Sequence, residues 1–222
     1  MKAFRLGQAG LWFETGGAKI LVDPYFTDSV FAVSGVHRKS EPPAWVWDIK
    51  PDILLITHCH IDHYDPGTLK RFVNENTAVT VLSPQSVWEK IRVCGGKNNF
   101  VLVSPGVAWS QGGACITAFG AKHSDPYAVG FAIDTADKKI FITGDTLFHL
   151  NAFMPYVGAD YIFLPVNGVG NNMNAADAAK LAKLYNAKRA VPVHYGLLDD
   201  LTPDCFEYPG KFVMEDYKEY DI

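Results

Sequence analysis

A chain of 222 residues has room for one full-sized core. Apolar residues make up 48% and charged residues 20%, so it does not lack the apolar surface that folding needs. A net charge of −4 supplies no general basic face for a phosphate backbone, which disfavours nucleic acid as a partner.

Met1 to Gln8 do not lead into an apolar stretch ending in a small-residue cleavage site, and no apolar run reaches the length of a membrane span. The cysteines at 59, 94, 115 and 205 are scattered without CxxC pairing, as suits a reducing compartment. The expectation is a cytoplasmic protein with no membrane partner. No linker, charge run or low-complexity block interrupts residues 1–222, which are read as a single domain.

In chain order, apolar runs at 11–15 and 19–23 flank Gly16-Gly17 and predict a hairpin that ends on an aspartate. A loop follows around Glu41-Pro42-Pro43. Trp45 and Trp47 beside it suit a tucked loop, a pocket cover or a subunit contact. Residues 53–57 are continuously apolar, like a strand covered on both faces. Helical spacing at 66–75 and 86–93 brackets a strand at 79–82. Strands at 100–103, 114–119, 129–134 and 139–143 precede a short helix predicted near 147–157. A strand at 161–165 is followed by Asn174, which caps an alanine-rich helix through Tyr185, and then by a strand at 189–193. This alternation predicts an α/β protein with two sheets.

The segment Thr57-His58-Cys59-His60-Ile61-Asp62-His63 places three imidazoles and a carboxylate at the end of an apolar strand, in a chain with seven histidines. Neutral imidazoles and carboxylates are ligands for zinc, and also suit manganese or iron. His58 and His60 can serve one ion while Asp62 and His63 serve its neighbour. Cys59 turns away from both histidines on an extended backbone and reads as a small packed residue.

This segment resembles the HxHxDH signature of the metallo-β-lactamase fold superfamily. Its further motifs recur in order: His123 in Ala121-Lys122-His123-Ser124, Asp145 in Thr143-Gly144-Asp145-Thr146, and His194 in Pro192-Val193-His194-Tyr195. The resemblance implies a four-layer αββα sandwich, two mixed sheets flanked by helices, with two divalent metal ions at one edge. It implies His58, His60 and His123 on the first metal, Asp62, His63 and His194 on the second, and Asp145 bridging them. Asp23 in Leu21-Val22-Asp23-Pro24 resembles the family's buried carboxylate that supports the metal loop. His37 and His149 fall in no matching motif and are read as surface or core histidines.

Two dications held by neutral histidines and two aspartates leave a net positive centre, able to supply a metal-bound hydroxide near neutral pH. Asp62 is placed to orient that nucleophile or to shuttle a proton, and counts as the catalytic residue. Gly7-Gln8-Ala9-Gly10 and Leu21-Val22-Asp23-Pro24 further resemble the branch containing L-ascorbate-6-phosphate lactonase, implying a lactone or other ester of a small, phosphorylated metabolite. Asn167, Asn171, Asn172 and Tyr195 follow strand ends and are the candidate substrate contacts. A phosphodiesterase or thioesterase of the same fold, and a non-catalytic metal-stabilised scaffold, stay open. An aspartate at 145 disfavours lactam cleavage, and a histidine at 60 disfavours the oxygen-reducing branch.

Overall fold

Lys2–Arg5 (β1), Leu11–Glu14 (β2) and Lys19–Val22 (β3) form an antiparallel meander in the computed structural model, which describes residues 1–149 and 157–222. Ile53–Leu55 (β4), Thr80–Ser83 (β5) and Asn99–Leu102 (β6) extend this sheet in parallel. Glu219–Asp221 closes its other edge, giving a seven-stranded mixed sheet.

A second sheet has six strands. Ala108–Gln111 (β7), Ala114–Gly120 (β8), Val129–Asp134 (β9) and Lys139–Ile142 (β10) pair antiparallel; Tyr161–Pro165 (β11) and Arg189–Val193 (β12) then add in parallel. With Glu219–Asp221 counted as β13, the orders are β13-β1-β2-β3-β4-β5-β6 and β12-β11-β10-β9-β8-β7.

Three apolar clusters explain the layering. Phe13, Ile20, Val22 and Leu55 face Ile116, Phe131, Ile142 and Phe163 between the sheets. Outside the first sheet, Leu21, Leu54 and Val81 meet Leu69 and Phe72 of helix Pro66–Phe72, and Val87 and Ile91 of helix Gln85–Ile91. Outside the second, Ile162, Leu164 and Ala190 meet Ala178, Leu181 and Ala182 of helix Ala175–Leu184. Each fully buried Leu, Ile or Phe contributes roughly 1.5–3 kcal/mol. The result is helix, sheet, sheet, helix, the four-layer arrangement expected. Among the described residues no helix is long and apolar enough to cross a membrane.

Several elements differ from the sequence expectation for local reasons. The strand expected at 53–57 stops at Leu55, because Thr57 is drawn out of the ladder by Asp23. The first long helix ends at Phe72 rather than 75: Asn74 donates its amide to the Lys70 and Arg71 carbonyls and terminates the coil. The next covers Gln85–Ile91 and tightens into a 3-10 turn at Arg92–Cys94 ahead of two left-handed glycines. Strands β1, β7 and β13, the helix Ser29–Ser34 and the 3-10 turn Ala44–Asp48 were not anticipated. That 3-10 turn carries Trp47 against Phe26, and Trp45, 38% exposed, against Phe4. The helix expected near 147–157 lies largely on 150–156, outside the described residues.

Helix Ala175–Leu184 begins as its composition predicts, with the Asn174 side chain accepting from the Asp177 amide at 2.9 Å. Asn174→Ala removes that bond and should lower stability by about 1 kcal/mol in a urea melt, with the denaturant slope unchanged.

Candidate metal centre

The loops that follow β3, β4, β8, β10, β11 and β12 meet at one edge of the sandwich, and the backbone there is unusual. Gln8, Asp23, Asn171 and His194 all have positive φ, at 43°, 40°, 64° and 60°. Such conformations cost on the order of 1–3 kcal/mol each in non-glycine residues and persist only where the surroundings impose them. Gly144, at φ 62°, precedes Asp145; a Cβ there would lie 2.9 Å from the Val129 carbonyl oxygen, so this turn needs glycine.

Three groups of ligand atoms converge: His58, His60 and His123; His58, His63 and Asp145; and Asp62, His63 and His194. Each imidazole is pinned through one nitrogen and turns the other inward. His58 Nδ1 lies 3.0 Å from Thr57 Oγ1, and its buried Nε2 has no partner. His63 Nδ1 lies 2.8 Å from Asp23 Oδ2, and its Nε2 is likewise buried without a hydrogen bond. His60 Nε2 meets Ser124 Oγ at 3.1 Å, leaving Nδ1 facing His123 Nε2 at 3.1 Å. His123 Nδ1 is 3.3 Å from the Asn171 carbonyl oxygen. His194 Nδ1 is 2.9 Å from the Asn167 amide, whose buried Oδ1 lacks a partner. Turning that carboxamide over lets Oδ1 accept from Nδ1–H, and His194 Nε2 points at the Asp62 and Asp145 carboxylates. Unpaired buried imidazole nitrogens such as those of His58 and His63 are costly unless they bind something, and five converging imidazoles with two carboxylates suit divalent metals.

The two halves of the cluster differ electrostatically. Burial, reinforced for His58 by the neighbouring His63, pushes the pKa of His58 well below, and that of His123 below, the usual imidazole range. Burial acts in the same direction on His63 and His194, but the Asp145 and Asp62 carboxylates outweigh it; His63 is raised well above normal and His194 to about 10. Burial would raise Asp145 and Asp62, yet the facing histidines hold both below the usual carboxylate range. Burial thus disfavours the charged forms of His58 and His123, while both carboxylates of the cluster lie against His63 and His194.

Asp145 faces the second half, with Oδ1 3.4 Å from His63 Nε2 and Oδ2 3.1 Å from His194 Nε2, and it also groups with His58 and His63, which brings it to the border of the first. Asn172 is buried and donates to Asp145 Oδ2 at 2.8 Å, and Asn167 faces His194, so both support ligand residues directly. Asn171 is exposed and offers its carbonyl to His123. Tyr195 corrects the sequence reading: it is 6% exposed, its ring packed beneath the Arg5 guanidinium at 4.0 Å, so it is a packing residue rather than part of the site's wall. His194 turns the chain through a left-handed conformation, which sends the next side chain inward. Cys59 is half-buried in the apolar cluster beneath the helices. His37 is exposed, stacked on Phe31 and bonded to Asp28, and His149 belongs to none of the ligand groups among the described residues.

Sequence reasoning did not assign Gln8, Ser124 or Asp125. Buried Asp125 accepts from Cys59 N at 3.0 Å, Ser86 Oγ at 2.5 Å and Tyr127 N at 2.9 Å, fixing the backbone between His58 and His60. The signals available were the place of Asp125 two residues after His123, and a glutamine set among glycines at 7–10.

A family model described as "Beta-lactamase superfamily domain" matches residues 18–195. A UPF0173 metal-dependent hydrolase from Exiguobacterium sp. is 28% identical over 212 residues, covering 90% of this chain and 88% of its own length. Among solved structures, the isothiocyanate hydrolase from Delia radicum gut bacteria superposes with a TM-score of 0.77 at 19% identity, over 100% of this chain and 99% of the other. A metallo hydrolase from the archaeon Ignicoccus hospitalis gives 0.73 at 21% identity, over 100% and 98%. At these identities the structural likeness speaks to fold alone.

Removing the carboxylate between the two halves should unbalance both. Asp145→Ala is expected to lose most bound metal, measured by elemental mass spectrometry after dialysis, whereas His149→Ala keeps it. Full retention by Asp145→Ala would exclude a bridging role.

Proposed function

The chain belongs to the β-lactamase superfamily, and from that premise we propose that it is a metal-dependent hydrolase that uses two divalent ions to open a lactone or other ester of a small metabolite. The observation that carries this reading is the convergence of five imidazoles in three potential ligand groups, with His58 Nε2 and His63 Nε2 buried without a hydrogen bond, around a carboxylate that faces both His63 and His194. The relatives named as metal-dependent hydrolases support it.

In this reading His58, His60 and His123 hold one ion, Asp62, His63 and His194 hold the other, and Asp145 contributes to both. Zinc is the first choice, and manganese and iron suit the same ligand types. Divalent ions held by these residues would supply water activation near neutral pH and polarisation of an ester's acceptor oxygen. The chain's own residues supply direction. Asp62, whose Oδ2 lies 3.2 Å from His194 Nε2, orients the nucleophilic water and takes its proton. Asn172 holds the Asp145 carboxylate in place, Asn167 fixes the His194 ring, and exposed Asn171 is left to meet the substrate beside His123. The lactone preference rests on the resemblance of residues 7–10 and 21–24 to the ascorbate-phosphate lactonase branch.

The test is hydrolysis of a panel of lactones, phosphodiesters, thioesters and an isothiocyanate, with and without chelator, on protein whose metal content has been measured. About two metals per chain with chelator-sensitive lactone opening is the expected result. Cleavage confined to another ester class would retain the metal chemistry and reject the lactone. Two bound metals with no hydrolysis across the panel would favour a metal-stabilised scaffold.

A further inference from the structure

Gln8 is not a ligand, yet it touches the ligand set more directly than any other residue of the N-terminal meander. It lies in the turn between β1 and β2, closed by Leu6 N to Gly10 O at 2.7 Å and Gly10 N to Gly7 O at 2.8 Å. It is 3% exposed and held at φ 43°. Its carbonyl oxygen accepts from the His194 backbone amide at 2.8 Å. Its carboxamide Nε2 donates to Asp62 Oδ2 at 2.8 Å and lies 3.2 and 3.1 Å from the two ring nitrogens of His194.

These contacts all fall on one side of the cluster. Asp62 and His194 come from loops more than a hundred residues apart in sequence, and Gln8 bridges them through main chain and side chain together. The supports of the first half are different residues: Thr57 for His58, Ser124 for His60 and the Asn171 carbonyl for His123. A polar group that fixes the orientation of a ligand typically changes metal affinity about 10–100-fold when it is lost.

We propose that Gln8 is the positioning residue of the Asp62–His63–His194 site, assembling that site alone and leaving the His58–His60–His123 site independent of it. This rests on the two-ion reading above. Gln8 acts through Asp62 and His194, without touching the substrate. Asp62 free of this donor can rotate away from His194, which opens the second site while the first keeps its three imidazoles.

Gln8→Gly is the informative variant. Glycine is unstrained at φ 43° and keeps the carbonyl that receives the His194 amide, so only the carboxamide is removed. Zinc binding is measured by competition with a chromophoric chelator, on the full chain and in two backgrounds that leave one site each. With the first site disabled by His60→Ala, Gln8→Gly should weaken zinc binding about 10–100-fold. With the second disabled by His194→Ala, it should change nothing. The chelator-treated Gln8→Gly chain should melt with the chelator-treated wild type, which a merely structural role would not allow.

Unchanged affinity in the His60→Ala background, or equal weakening in both backgrounds, overturns the proposal while leaving two-ion binding intact. A wild-type chain that takes up a single zinc overturns the two-ion reading and this proposal with it. Should Gln8→Gly not fold, Gln8→Asn supplies the same comparison, since its amide falls one carbon short of Asp62.

Discussion

Asp23 lies just past the end of β3 with a left-handed backbone, and its buried carboxylate meets three groups: Thr57 N at 2.8 Å, Thr57 Oγ1 at 2.5 Å and His63 Nδ1 at 2.8 Å. A buried charge of this kind is costly unless its lone pairs are met. The sheet arranges that meeting. Val22 pairs with Leu55 in the parallel β3–β4 ladder, and Asp23 N donates to the Leu55 carbonyl at 3.0 Å, which sets Asp23 beside Thr57. A slip of one residue would send the apolar side chains of β3 to the wrong faces, so the core that fixes the register also fixes the orientation of His63. Through Thr57 Oγ1 the same carboxylate reaches His58. The geometry of the histidine cluster is thereby a consequence of how two strands bury their apolar residues.

The contrast between the two halves follows from where carboxylates enter the cluster. Asp62 and Asp145 both face His63 and His194, and neither is paired directly with His60 or His123. The first half therefore offers imidazoles alone, and the second offers carboxylates as well. The backbone strain is distributed to match: Asp23, Gln8 and His194 are left-handed on the second side, and Asn171 on the first. The second half draws its supports from β1, β3, β11 and β12, strands of both sheets, so its geometry depends on their packing.

The loop 57–63 was legible because dense polar residues broke an apolar run, and the later residues that cluster with it because resemblance to a known motif order picked them out singly. The supporting residues were not, since their roles are made by contacts across the chain. Asn167 and Asn172 were read as substrate contacts for lying after a strand, but the fold turns both onto ligands. The architecture was legible where periodicity is long, as in the Asn174-capped helix, and poorly legible at β1 and β13, short strands that pair with each other from opposite ends of the sequence, β13 forming the sheet edge. Helix ends were overrun where one side chain, Asn74, intercepts the last carbonyls.

The first strand and the turn after it carry two anchors for one loop. Gln8 holds His194 from inside the site, while Arg5, buried three residues earlier, donates to the Tyr195 carbonyl at 2.7 Å and covers the Tyr195 ring from behind. Arg5 is held by Asp216 at 2.6 Å, and Tyr217 N donates to the Arg5 carbonyl at 2.7 Å. Burial pushes the Asp216 carboxyl above its usual range, with Arg5 opposing that rise. Removing one partner of such a pair would leave the other as an uncompensated buried charge. The two ends of the chain therefore meet at the back of the His194 loop. The left-handed turn at His194, which presents its ring to Asp62 and Asp145, is held through its own amide by Gln8 and through the next residue, Tyr195, by Arg5.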